Sequence, residues 1–152
     1  MLVTFSRLPA AERALLIGAC ALLPAVAAGL RLLSLKTLLR LLARPRGVGA
    51  AIPPERAAVL VEAVAARLPL RATCLARSLV LHALLGRLGI DTHLVIGAAP
   101  AGGALEAHAW VEHRGVPLGS DTRSGTYPPL LRWPAAGAAT VPAQPVTMKE
   151  RA

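Results

Sequence analysis

The chain has 152 residues, enough for one modest domain with appendages, and is 55% hydrophobic but only 3% aromatic, so its core must be built from Leu, Val and Ala. A net charge of +9 comes from scattered Arg rather than a run. With so few aromatic rings and no recognition motif, a base-stacking nucleic-acid binder is excluded, and an acidic peptide, an acidic partner or a membrane surface suits the charge better.

Residues 1–13 hold Ser6, Pro9 and Glu12, a pattern in which Ser6 caps a helix with Pro and Glu in its first turn. Ala14 to Leu30 then runs without a charge between Arg13 and Arg31. Its length reaches only the lower limit for a spanning helix, so three readings stand: a buried or partner-binding helix, a membrane span, and a signal-peptide core with Ala25-Val26-Ala27 as a cleavage-like site. Leu30 to Ala43 continues as a basic amphipathic helix with Arg31, Lys36 and Arg40 among leucines, fit to cover a core, dock a partner or rest on a membrane. Arg44-Pro45-Arg46-Gly47-Val48-Gly49 breaks the pattern and sets the domain boundary. Three units are therefore expected: an apolar and basic helical segment over 1–46, a catalytic domain over 47–134, and a disordered Ala/Thr/Pro/Gln tail over 135–152.

Pro53-Pro54-Glu55-Arg56 opens a helix to about Leu68, with Val59, Leu60, Ala63, Val64 and Ala66 as its buried side. After Pro69, Thr73 is the N-cap and Gly89 the C′ residue of a helix over 74–88. Cys74 falls in its first turn, where unpaired N–H groups and the positive end of the dipole favour thiolate over thiol, with Arg77 one turn on. A small buried hydrophobe is the plain alternative for an isolated cysteine. Cys20, in the apolar run, is expected to be inert; two cysteines without a framework pattern point to a reducing, cytoplasmic compartment. His82, His93, His108 and His113 have no metal-ligand spacing with them, so no metal and no cofactor are expected, and His82 reads as solvent-facing or satisfied.

Thr92 to Gly97 turns to period two and reads as a strand, followed by an exposed loop over 98–105. Ala107 to His113, Arg114-Gly115 and Val116 to Asp121 form a hairpin signal. With a two-residue loop, facing residues sum to 229, which sets His108 opposite Asp121 at a non-hydrogen-bonded site, Trp110 opposite Gly119, and Pro117 where no ladder N–H is needed. Arg is not the Asn or Asp that such a turn prefers, and a Gly-bulged loop instead faces His108 with Ser120. Cys74, His108 and Asp121 thus supply a nucleophile, a base and an orienting acid, the order of a cysteine hydrolase. The backbone N–H of Cys74 is a candidate oxyanion donor. Tyr127, Leu130, Leu131 and Trp133 are expected to pack back on the core. The whole reads as α+β, two or three helices against an antiparallel sheet of three or more strands.

Cys74-Leu75-Ala76-Arg77-Ser78, Leu88-Gly89-Ile90, Leu94-Val95-Ile96-Gly97, His108-Ala109-Trp110-Val111-Glu112 and Gly115-Val116-Pro117-Leu118 closely resemble the transglutaminase-like leader peptidases of lasso-peptide biosynthesis, over about 50 residues. The resemblance implies a transglutaminase-like (papain-like) cysteine protease core in which Cys74 is the nucleophile, His108 the base and Asp121 the orienting acid. It implies as partners a ribosomally made precursor peptide, whose leader is cut, and an ATP-dependent asparagine-synthetase-like cyclase. Many such peptidases work with a small winged-helix leader-recognition domain; residues before about 50 read as helix rather than alternating strands, so a separate recognition protein is expected. The His-Ala-Trp-x-Glu signature is shared across the wider superfamily, which leaves two other readings open: another amide hydrolase or acyltransferase using the same three residues, and a non-enzymatic membrane-associated scaffold.

Overall fold

A computed structural model describes residues 8–43, 52–69, 72–119 and 124–134. Among them four helices, α1 (Ala10–Leu32), α2 (Leu35–Leu42), α3 (Pro54–Ala65) and α4 (Cys74–Arg87), precede four strands, β1 (His93–Ala101), β2 (Ala104–His113), β3 (Val116–Pro117) and β4 (Pro129–Pro134), with one 3-10 turn at Ser124–Thr126. The strands form one antiparallel sheet in the order β3-β2-β1-β4. The protein is α+β, as its patterning implies.

Helix α1 starts at Ala10 with Pro9 as N-cap; Ser6, expected to cap it, and the Arg44–Gly49 break and the tail from 135 lie outside the described residues. One face of α1, through Leu15, Ala19, Leu23 and Val26, shares a single core with α3, α4 and the sheet. Glu12 clasps Arg56 of α3 in two hydrogen bonds of 3.1 and 2.8 Å, and this pairing holds the Glu12 carboxyl below the usual carboxylate range. The single helix expected across Leu30–Ala43 is instead broken at Leu33. Ser34 competes for the backbone there: its hydroxyl accepts the Thr37 N–H at 3.2 Å and caps α2.

In α3 the buried side is Ala57, Ala58, Leu60, Val61 and Val64, rotated from the expected one; Val59 is 54% exposed and Ala66 exposed. The small Ala57 and Ala58 let neighbouring helices approach, which a face centred on Val59 does not. In α4 the expected ends hold. The Thr73 hydroxyl accepts the Ala76 N–H at 3.2 Å. At the other end Ile90 N–H reaches Leu85 O and Gly89 N–H reaches Gly86 O, with Gly89 at φ 76°, a Schellman closure that turns the chain directly into β1.

The loop expected over 98–105 is strand. Residues of β1 and β2 pair as far as Ala101 with Ala104, and Gly102 and Gly103 make the two-residue turn with φ of 57° and 84°. Two consecutive glycines supply the positive φ that a hairpin turn of this length needs, so pairing continues through a stretch whose composition looks like loop. Residues 129–134 form a strand that the sequence does not announce: Leu131 and Trp133 pack back by pairing along β1, whereas Leu130, at the irregularity in that register, is 54% exposed and does not. Leu94 and Val111 face the helices, whereas Val95, Trp110 and Tyr127 form a second small cluster on the opposite face.

Candidate active site

Cys74 is the first residue of α4, half-buried, with Thr73 capping the turn beneath it. First-turn N–H groups have no backbone partner within a helix, and here the Thr73 hydroxyl takes the one at Ala76. Arg77, one turn on, pairs with Glu62 of α3 at 2.8 Å. Ser78, one turn below Cys74 on the same side, is buried and donates its hydroxyl to Ala109 O at 3.0 Å. That bond joins the cysteine helix to the residue next to His108.

The hairpin register follows the sum of 229: His113 pairs with Val116, Glu112 with Pro117, and Leu118 N–H reaches Val111 O at 2.8 Å. The turn is the two-residue form, with Arg114 at φ 52° and Gly115 at φ 80°, so the Gly-bulged alternative does not form. Pro117 stands at a non-hydrogen-bonded site, as expected. The described hairpin ends at Gly119; Ser120 and Asp121 lie outside the described residues.

His108 is half-buried on the sheet face away from α4's direct packing, between two rings. Its centroid lies 6.0 Å from Trp110 in a stacked pair and 5.3 Å from Tyr127 in a tilted one. Both neighbours are themselves buried and held. Trp110 donates Nε1–H to Glu112 Oε1 at 2.9 Å, and the buried Glu112 carboxylate also receives the Arg132 guanidinium from β4. Tyr127 reaches His108 because Gly97, directly across the ladder from His108, has no side chain: a Cβ there would stand 2.8 Å from the carbonyl oxygens of both Tyr127 and Pro128.

Cys74 and His108 line one cavity of about 240 Å³, together with Arg77, Ser78, Trp110 and Gly119. Two of the three residues expected from the sequence are thus brought to one space. The sequence assigns no supporting role to Ser78, Tyr127, Glu112 or Arg132, although Ser78 and Glu112 lie in the quoted motifs and Tyr127 is expected on the core; Gly97, at the place facing His108, is a further local signal. Among the described residues no group of three His, Cys, Asp or Glu side chains converges as a metal site. His82 is buried and bonded to the Thr92 hydroxyl at 2.9 Å, the satisfied residue of the two readings. Cys20 is exposed on α1 and is not among the residues that line this cavity.

A model of the transglutaminase-like superfamily matches residues 19–132, three-quarters of the chain. The chain belongs to the transglutaminase-like superfamily. Neither a curated protein nor a solved structure matches it significantly. Transglutaminase-like domains are for the most part cysteine-based enzymes, peptidases, amide hydrolases or acyltransferases, and the matched span contains the cavity and both residues that face it. The match opens inside α1, at Ala19, one of the residues that α1 gives to the shared core.

Proposed function

We propose that this protein is a cysteine peptidase that removes the leader from a ribosomally made lasso-peptide precursor, using Cys74, His108 and Asp121. The observation that carries the reading is that Cys74, at a capped helix start, and His108, held between two rings, line the same cavity. The likeness of Cys74–Leu118 to the leader peptidases supports the substrate class. The Cys74 thiolate attacks the scissile carbonyl, the His108 imidazolium gives its proton to the departing amine, and a thioester to the leader remains. Water then attacks the thioester while His108 takes its proton; the leader leaves as a carboxylate and Cys74 is restored. Asp121, which the sequence pattern pairs with His108, is assigned the role of orienting its ring. The freed amine passes to a cyclase of the asparagine-synthetase type, and a separate protein recognises the leader, all in the cytoplasm.

The same thioester accepts an amine in place of water, so an acyltransferase uses an identical first half-reaction, and the superfamily-level match favours neither. Incubating the protein with a precursor peptide and its recognition protein separates the two: mass spectrometry shows leader plus core for hydrolysis, and a leader–amine adduct for transfer. Cys74→Ala is expected to abolish either product. Full cleavage by that variant overturns the assignment.

A further inference from the structure

We infer that the outer face of α1, with the corner between α1 and α2, seats the protein flat on an anionic lipid surface. Helix α1 is long and apolar enough to cross a bilayer, yet the structure commits one of its faces to protein. Leu15, Ala19, Leu23 and Val26 are at most 4% exposed. Gly18 and Gly29 are so close to their neighbours that a Cβ would lie 2.9 Å from Leu84 and 2.8 Å from Leu38. A helix clamped in this way cannot enter hydrocarbon without dismantling the core, so its apolar character serves a surface and not a span.

The opposite face is left to solvent. Ala14, Ile17, Ala21, Ala25, Ala28 and Leu32 follow one another at helical spacing and are all exposed, Ile17 by 62% and Leu32 by 82%. A water-facing helix carries polar side chains at such positions, and none with charge occurs between Arg13 and Arg31. Charge identifies the occupant. From Arg13 to Pro54 the sequence has no Asp or Glu, and the exposed Arg31, Lys36 and Arg40 border the apolar face at the α1–α2 corner. A second copy of this face brings like charges together. A bilayer rich in acidic headgroups offers apolar depth and negative charge at once. No residue lining the cavity comes from α1, so docking leaves Cys74 reachable, and the inference stands whether or not the peptidase reading does.

Flotation of the full chain with vesicles tests it. The protein is expected to float with vesicles of equal parts phosphatidylglycerol and phosphatidylcholine, to stay below those of phosphatidylcholine alone, and to be released by salt. Lys36→Gln with Arg40→Gln lowers partitioning roughly 25-fold, at about 1 kcal/mol per basic residue. Ile17→Asp with Leu32→Asp abolishes it while thermal melting by circular dichroism stays within a few degrees. The inference is overturned if the wild type does not float at low salt, or if alkaline carbonate fails to release it, which marks a span. It is equally overturned if the wild type is a dimer that the Asp pair converts to monomer and neither form binds vesicles.

Discussion

The two walls of the cavity are built by opposite means. The α4 wall is local: Thr73, Cys74 and Ala76 are neighbours in sequence, and the cap that positions the thiol is complete within one turn. The β2 wall is assembled from afar. His108 is steadied by Tyr127, which is admitted by Gly97, and by Trp110, which is fixed by Glu112, itself paired with Arg132 of β4. A nucleophile tolerates a local solution because a helix start supplies its field directly. An imidazole on a strand has no such field, and its orientation must come from side chains on other strands.

Substitutions that address one wall at a time sharpen this contrast. Gly97→Ala is expected to have the largest effect, because the backbone at Tyr127 and Pro128 must move. Stability falls by about 1–3 kcal/mol and the His108 ring loses its neighbour. Cleavage then drops while alkylation of Cys74 at high pH, where every thiol is ionised, stays as fast as in the wild type. Slower alkylation there means that both walls were disturbed. Ser78→Ala removes the tie between the walls, at about 1 kcal/mol, and is expected to lower turnover more than a Ser78→Thr variant that keeps the hydroxyl. Equal rates for the two show that packing alone sets the spacing. Thr73→Ala costs a similar 1 kcal/mol or so through the lost cap. Chemical denaturation should report it, and the reactivity of Cys74 towards iodoacetamide, compared with the exposed Cys20 as an internal standard, should fall.

The smallest effect concerns Glu12. Its hydrogen bonds from Arg56 stabilise the ionised carboxylate, so its folded-state pKa lies below the unfolded one. The contribution is full above about pH 4.3, the usual glutamate value, and is lost as pH falls through the lower folded value. Melting temperature against pH for wild type and Glu12→Gln should converge in acid and separate above that range. Parallel curves mean that the pair adds nothing.

What the sequence discloses follows the same division. The Thr73 cap, the Gly89 closure and the Arg114-Gly115 register are readable because each is decided within a few residues. The break at Leu33 is equally local, but the leucine periodicity on both sides hides the Ser34 cap. Gly102-Gly103 reads as part of an exposed loop by composition, and it is a tight turn because Ala98 to Ala101 find partners in β2. Strand β4, preceded by Pro128 and opening on Pro129, has no alternation to betray it; its existence depends on the vacant edge of β1. Arg132 is silent for the same reason, and Tyr127 shows in the sequence only as a residue that packs back. That Cys74 and His108 share one cavity is legible in their order and setting, whereas Asp121 falls outside the described residues.

The sheet's register also orders its assembly. Strands β1 and β2 join Ile96 to Ala109, 13 residues on, through a tight turn, but β4 closes on β1 only when Leu131 reaches Ile96, 35 residues away. Loop closure makes the second step costlier by roughly 1 kcal/mol, so the hairpin forms first and β4 zips on afterwards. Tyr127 and Arg132 arrive with that last strand. The two ring neighbours of His108 are therefore complete only after β4 has paired, whereas the turn that carries Cys74 needs nothing from that strand.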